Sequence, residues 1–155
     1  MITMEKFWMG RDTEYADELT DDIQRNAVDL ITRVNGLLGE FFDNTGIVCD
    51  IVASGWRPHE INDSTANSAS HSKHLSGDAV DIRDTPKRDL AVWCALNAKA
   101  LGAAGLWCER FEWTGGPSPW VHFQRLPPTS NKRFFIPSMN PPLCARLPEQ
   151  DIGNC

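Results

Sequence analysis

The sequence predicts one α+β domain with a small, mostly antiparallel sheet and flanking helices. Two observations support this fold class: a long apolar stripe at helical spacing, and four short strand-like runs separated by turn residues. The chain has 155 residues, which suits a single domain that buries its core without disulfides. We expect the core of the domain at about 20–125 and a Pro-rich wrapping tail at 126–155.

The first predicted helix covers residues 20–42. Thr20 is its expected N-cap, and Asp21 and Asp22 suit the positive end of the helix dipole. The segment Asn44-Thr45-Gly46 is expected to end it. The apolar positions recur every three or four residues, as one buried stripe requires: Ile23, Ala27, Leu30, Ile31, Val34, Leu37, Leu38, Phe41 and Phe42.

The next segment is predicted to run from strand to turn to loop to strand. Residues 47–53 (IVCDIVA) indicate a strand, and 54–58 (SGWRP) indicate a turn because Pro58 cannot continue a ladder. Residues 59–73 are polar, small and aperiodic, which favours a long loop of the kind that is often functional. Residues 78–83 (DAVDIR) indicate the second strand.

The remaining chain is predicted to add one helix and two strands. Pro86 is expected to open a helix at 86–101. The runs at 105–109 (GLWCE) and 120–124 (WVHFQ) indicate the third and fourth strands. The last 31 residues hold six prolines, so we expect little regular structure there.

Charge and hydropathy exclude several classes of partner. The chain has 15 basic and 21 acidic residues, a net charge of −6, and nine of the acids lie between Asp12 and Asp43. This balance argues against nucleic acid and against an anionic membrane surface. No apolar run is long enough to span a bilayer, and the N-terminal residues show no apolar segment of a secretory signal. We expect a monomer made in the cytoplasm.

The five cysteines do not indicate a disulfide framework. Cys49, Cys94 and Cys108 lie in apolar stretches, where cysteine usually packs as a small hydrophobe. An odd number without a Cys-x-x-Cys pair favours folding in a reducing compartment. Cys144 and Cys155 remain a possible pair in the tail.

Three side chains are candidate metal ligands. His74 precedes a sharp turn into the second strand, and alternation along that strand puts Asp81 on the face opposite Val80 and Ile82. In the last strand, His122 alternates with apolar neighbours and therefore also points away from the core. Two nitrogens and one carboxylate would leave a zinc ion one open position. Each short pattern alone is more often an inert histidine or a chance spacing.

These residues belong to a longer motif series. It consists of Ser54-Gly55-Trp56-Arg57, then Ser72, His74, Gly77, Ala79 and Asp81, then Trp120-Val121-His122. This series resembles the zinc D-alanyl-D-alanine carboxypeptidase and L-alanyl-D-glutamate endopeptidase family, which has the hedgehog/D,D-peptidase fold. The resemblance covers about residues 20–125, and the Pro-rich tail is similar to that of small bacterial and phage-encoded members.

The resemblance implies a role for each matching residue. His74, Asp81 and His122 would bind Zn²⁺. Arg57 would polarise the scissile carbonyl or clamp a substrate carboxylate, unless it only forms a surface ion pair at a turn. Ser72 would orient the substrate or cap the loop. The substrate would be a peptidoglycan stem peptide.

Trp120 lies close to a candidate ligand in the sequence, two residues before His122. Trp120 would line the cleft beside His122 or be packed by the tail. The others are expected to be packing residues, since tryptophan buries a large area: Trp8, Trp56, Trp93, Trp107 and Trp113.

The general base departs from the family pattern. Better-known relatives have a Glu or Asp three residues before the last histidine, where this chain has Pro119. A zinc peptidase needs a carboxylate to take a proton from water and pass it to the leaving amine. Glu109 is the preferred candidate because it ends a strand on the face away from the core. Glu112 is the alternative, and His59 and His71 are expected to be solvated.

The sequence is also compatible with other functions. The missing carboxylate at position 119 also suits a non-catalytic, zinc-stabilised wall-binding or virion structural module. A cysteine hydrolase is weaker, because no cysteine lies in a basic, exposed setting. As an enzyme, the protein would reach the cell wall after lysis, through a holin pore or on a phage particle. The sequence does not separate carboxypeptidase from endopeptidase specificity.

Overall fold

The computed structural model describes residues 1–66, 68–112, 114 and 116–136. In these residues the helices are α1 (Met4–Trp8), α2 (Arg11–Glu14), α3 (Asp21–Thr45), α4 (His59–Ser64), α5 (Asp89–Leu96) and α6 (Ala98–Ala103). The strands are β1 (Val52–Ser54), β2 (Ala79–Arg83), β3 (Trp107–Glu109), β4 (Trp120–Gln124) and β5 (Phe134–Phe135). The expectations for Trp113 and for a Cys144–Cys155 pair fall outside the described residues.

The described strands form a mixed five-stranded sheet in the order β1-β2-β4-β3-β5. The pairs β1–β2, β2–β4 and β3–β4 are antiparallel, but β5 pairs with β3 in parallel. The α+β class is therefore confirmed, whereas the prediction of a mostly antiparallel sheet is wrong. The cause is Phe134–Phe135, which adds a parallel edge strand from a region expected to lack regular structure.

Helix α3 agrees closely with its sequence pattern. The Thr20 hydroxyl accepts a hydrogen bond from the Ile23 amide, as an N-cap does. Gly46 ends the helix in the left-handed conformation at φ +70°. Most of the predicted stripe is buried, but Phe42 remains 48% exposed because it lies at the edge of the stripe near the end of the helix.

The core lies between α3 and one face of the sheet. Val80 and Ile82 on β2, with Val121 and Phe123 on β4, belong to the same buried cluster as the α3 stripe. The alternation of both strands therefore directs these apolar residues to one face. The opposite face carries the polar side chains of β2 and β4 that form the candidate site.

Three further segments differ from the sequence prediction. Residues 59–73 contain α4, a helix with a single apolar residue, Ile61, and hence no apolar period to detect. The helix expected at 86–101 begins at Asp89, because the Asp84 carboxylate accepts hydrogen bonds from the amides at the start of α5. It is also divided at Asn97 into α5 and α6.

Strand β1 is also shorter than the predicted 47–53 run. It covers only Val52–Ser54, and its register against β2 shifts within that short stretch, between Val52 and Ser54. Ahead of the strand, the Ile51 carbonyl accepts a hydrogen bond of 2.8 Å from the Arg83 amide. None of the described helices is long and apolar enough to cross a bilayer.

Candidate metal centre

Three side chains converge on the polar face of the sheet: His74, Asp81 and His122. One potential ligand atom from each lies within 4.8 Å of the other two. Asp81 on β2 and His122 on β4 occupy directly opposite positions in the antiparallel ladder, and His74 precedes β2 in the chain. Within the described part of the chain, this is the one group of three such residues with metal-binding spacing.

A backbone carbonyl orients His74. Its Nδ1 lies 2.8 Å from the Gly55 carbonyl oxygen. Because a carbonyl oxygen only accepts, Nδ1 carries the proton and Nε2 presents its lone pair. That Nε2 lies 3.5 Å from Asp81 Oδ1. This is the arrangement by which an outer hydrogen bond sets the tautomer of a metal-binding histidine.

The separation of the His74 and Asp81 ligand atoms suits a small tetrahedral ion, whereas that of His122 and Asp81 is the length of a hydrogen bond. His122 Nδ1 lies 2.8 Å from Asp81 Oδ1, and His74 Nε2 lies 3.5 Å from the same oxygen. A tetrahedron with bonds of about 2.1 Å has edges of about 3.4 Å. Two imidazoles and a carboxylate are ligands that zinc accepts, so the residues fit the ion that the resemblance implies.

The motif turn and the His74 loop are tied together by backbone geometry. The Arg57 amide donates to the His74 carbonyl at 3.2 Å, and Trp56 Nε1 donates to the Leu75 carbonyl at 3.1 Å. Trp56 is fully buried, and its ring packs edge-on against the ring of Trp8 with the ring centroids 5.9 Å apart. The turn therefore positions the His74 loop through one backbone hydrogen bond and one from the Trp56 side chain, which is itself anchored in the core.

Two glycines allow this close packing. A Cβ at Gly55 would lie 1.8 Å from the Phe7 carbonyl oxygen, so α1 leaves no room for a side chain. Gly77 has φ +73°, and a Cβ there would lie 2.7 Å from the Ile23 carbonyl oxygen on α3. Both motif glycines are thus required by neighbouring backbone.

Burial and mutual contact set the protonation of the three ligands. Burial lowers the pKa of His74, which keeps its imidazole neutral at pH 7. Burial also works against a charged Asp81, but the two histidines outweigh it and hold the pKa of this carboxyl well below its usual range. Burial disfavours protonation of His122, yet the Asp81 hydrogen bond prevails and raises the pKa of His122.

Arg57 supports the centre from the side opposite the histidines. Its Nη2 lies 3.0 Å from Asp81 Oδ2, and its Nε donates to Ser54 Oγ at 2.8 Å. The Arg57 side chain is only 12% exposed. Its ion pair with Asp81 is therefore buried, unlike the surface ion pair that was the alternative role of Arg57 in the sequence. The pair orients Asp81 so that Oδ1 faces the histidines.

The two candidate bases lie in different surroundings. In the β3–β4 ladder Cys108 pairs with Phe123, and alternation along β3 directs Glu109, the next residue, to the face that carries His122 on β4. Burial raises the pKa of Glu109, and the nearby charge of His122 partly opposes that shift. Glu112 is exposed and forms an ion pair with Arg110 at 3.1 Å. Glu109 therefore lies within electrostatic reach of His122 and Asp81, whereas Glu112 takes part in a surface ion pair.

An open cleft of about 480 Å³ lies beside the ligands. Trp120, Arg57 and the candidate ligand Asp81 are part of its lining. Its lining residues are Arg11, Ala53, Ser54, Arg57, Thr65, Asp81, Arg83, Pro117, Ser118 and Trp120. Sequence reasoning missed Arg11 and Arg83; alternation along β2 puts Arg83 on the face of Asp81, whereas nothing local marks Arg11.

Other sequence candidates lie outside this cleft. Ser72 is not among its lining residues, and its hydroxyl accepts a hydrogen bond of 3.3 Å from the His74 amide, which is the capping arrangement. His59 and His71 are exposed, as expected. Trp8, Trp56 and Trp93 are buried, whereas Trp107 is half-buried beneath the Arg133 guanidinium.

Comparisons with family models, with curated proteins and with solved structures found no match to this chain. The candidate function therefore depends on the motif residues and on the geometry of the site.

Proposed function

We propose that this protein is a zinc peptidase that hydrolyses amide bonds in peptidoglycan stem peptides. The single observation that carries the proposal is the convergence of His74, Asp81 and His122, with ligand atoms within 4.8 Å of one another. The motif resemblance to the D-alanyl-D-alanine carboxypeptidase and L-alanyl-D-glutamate endopeptidase family supplies the reaction and the substrate class. Action on the cell wall would follow lysis, release through a holin pore or phage delivery.

The three ligands would hold Zn²⁺ while leaving a coordination position open. When bound, zinc would polarise the scissile carbonyl and bring the pKa of a coordinated water to about 7. Binding would also displace the proton that His122 Nδ1 shares with Asp81, so zinc affinity should fall at low pH. His74 needs no such change, because its Nε2 already presents a lone pair.

Glu109 and Arg57 would perform the remaining chemistry. Glu109 would take a proton from the attacking water and deliver it to the leaving amine, and its position beside His122 supports this role. Arg57 uses two of its five N–H donors on Asp81 and Ser54. The others are left to stabilise the negative charge that develops on the carbonyl oxygen.

The test is zinc-dependent release of free amines from purified cell wall. We expect the zinc-loaded protein to release them, and His74→Ala to lose both bound zinc and product release. His71→Ala is the matched control, because it removes an exposed histidine three residues away and should retain both.

Equal product release by His74→Ala and wild type would overturn the proposal. Wall binding with zinc retained but without any cleavage would instead support the non-catalytic wall-binding module.

A further inference from the structure

The cleft beside the metal centre has an excess of positive charge. Its lining contains the guanidinium groups of Arg11, Arg57 and Arg83 and the single carboxylate of Asp81, a net charge of +2. The entire chain has a net charge of −6. Positive charge concentrated in a cleft of an acidic protein attracts an anionic group to that cleft.

Arg11 and Arg83 are oriented without acidic partners. Arg11 Nη1 donates to the Trp56 carbonyl at 2.6 Å, and Arg83 Nη1 donates to the Ser118 carbonyl at 2.7 Å. Among the residues that the structure describes, neither arginine forms an ion pair. Each guanidinium is therefore fixed by one N–H group and keeps further donors for a ligand.

Arg57 differs from these two arginines. Asp81 balances its charge at 3.0 Å, and its Nε is bonded to Ser54. Burial and, after it, the charge of Arg57 lower the pKa of Arg11, which places the two guanidinium groups within electrostatic reach of each other. An anion bound at Arg11 would relieve this repulsion.

We propose that Arg11 and Arg83 form an anion subsite that binds a carboxylate of the peptide substrate next to the scissile bond. The inference rests on the proposed peptidase function and gives the arginines separate roles. Arg57 orients Asp81 and acts on the scissile carbonyl, while Arg11 and Arg83 bind the substrate carboxylate. A stem peptide offers two carboxylates of the same chemistry, one at its C-terminus and one at the α-carbon of its γ-linked D-glutamate.

The experiment uses the zinc-loaded full chain and three synthetic stem pentapeptides. One has both carboxylates free, one is amidated at D-glutamate and one is amidated at the C-terminus. We expect KM to rise about tenfold to a hundredfold when the recognised carboxylate is amidated, with little change in kcat. The peptide that loses affinity identifies which carboxylate enters the subsite.

The variants Arg11→Gln and Arg83→Gln then test the residues. Each should raise KM for the free peptide by about tenfold or more, and should leave KM for the peptide amidated at the recognised carboxylate unchanged. Arg11→Lys and Arg83→Lys should restore part of the affinity. Arg25→Gln is the control, because Arg25 is an exposed arginine on α3 outside the cleft.

The experiment distinguishes failure of the anion subsite from failure of the proposed peptidase function. Partial unfolding of a variant would reduce kcat/KM for both peptides equally, whereas loss of the subsite removes the preference between them. If no peptide is cleaved, the peptidase proposal fails, and calorimetric binding of the same three peptides still tests the subsite. Equal binding of free and amidated peptides, or variants that keep the wild-type preference, would overturn the inference.

Discussion

Glu109 is the side chain whose surroundings best suit proton transfer. It lies one strand away from His122 on the polar face of the sheet, and burial raises its pKa. A carboxylate that is partly withdrawn from water holds a proton more strongly, which brings its proton affinity closer to what a general base needs. Glu112 lacks this environment, since it is exposed and paired with Arg110.

The variant Glu109→Gln should lose most of the activity while keeping the metal. We expect kcat to fall by about 10²- to 10⁴-fold, because the proton acceptor is gone and the zinc ligands are intact. Glu112→Gln is the matched control and should stay within about twofold of wild type. Product release and zinc content measured on the same preparations would check this, and comparable losses in both variants would contradict it.

The raised pKa of Glu109 also predicts a pH dependence of stability in the metal-free protein. The fold favours the protonated carboxyl, so its contribution is complete below the unfolded pKa of about 4.3 and is lost as pH rises through the raised pKa. Each unit of the shift corresponds to about 1.4 kcal/mol.

The variant Glu109→Gln should remove this pH-dependent loss of folding stability. Relative to wild type, the variant should gain free energy of unfolding as pH increases from about 4 to 7, because glutamine cannot ionise. Urea unfolding of both proteins in the presence of a chelator would measure the difference. A difference that stays constant over this range would show that Glu109 has the same pKa in the folded and unfolded chains.

Among the helices and strands, the β2–β4 pair and the turn after β1 build the site together. The antiparallel register sets Asp81 directly opposite His122. The turn supplies the Gly55 carbonyl that orients His74, and it lies so close to α1 that only glycine fits. The N-terminal helix is therefore coupled to a candidate metal ligand, His74, through one backbone position.

Gly55→Ala should damage the fold and the site at once. A Cβ placed 1.8 Å from the Phe7 carbonyl oxygen must displace α1 or the turn, which we expect to lower the free energy of unfolding by about 3 kcal/mol. Zinc affinity should also decrease, because the carbonyl that orients His74 moves.

Gly39→Ala is the control for this change. A Cβ at this helical position on α3 meets nothing within 4 Å, so the variant should gain about 0.5–1 kcal/mol. Thermal unfolding with and without zinc would compare the two variants. If Gly55→Ala keeps the stability and zinc affinity of wild type, α1 can move away from position 55 without loss of stability, and the prediction is wrong.

At the scale of the fold, the three cysteines that the structure describes lie in the core. Cys49, Cys94 and Cys108 are free and buried. Burial raises the pKa of Cys49 to about 11 and raises the pKa of the other two further. At pH 8 a thiol with a pKa near 11 is about 0.1% thiolate, which disfavours the cysteine-hydrolase hypothesis.

Iodoacetamide should therefore leave the native protein unmodified at these three positions. The measurement uses a Cys144→Ser/Cys155→Ser background at pH 8 and counts alkylated thiols by mass spectrometry. All three cysteines should react in denaturant, and product release from cell wall should be unaffected by the native treatment. Rapid alkylation of any one of them in the folded protein would contradict the burial of that thiol.

Local patterns predicted the helix α3 and the strands around the site well. The stripe of α3 and the strand at 120–124 are governed by periods of 3.6 and 2 residues, which depend on neighbouring residues alone. The same alternation placed Asp81 and His122 on the face away from Val80 and Phe123. Segments without a period were predicted less well: α4 has one apolar residue, and α5 begins where Asp84 caps it.

The sequence was enough to specify which residue types face away from the core and which turn precedes them, because those properties arise within a few residues. Long-range contacts settled the rest: the register that sets Asp81 opposite His122, the Gly55 carbonyl that selects the tautomer of His74, and the parallel pairing of β5 with β3. They also bring Arg11 into a cleft with Arg83, although 72 positions separate them in the sequence. Such contacts depend on how distant segments pack around a shared core, and no local pattern of residues encodes that packing.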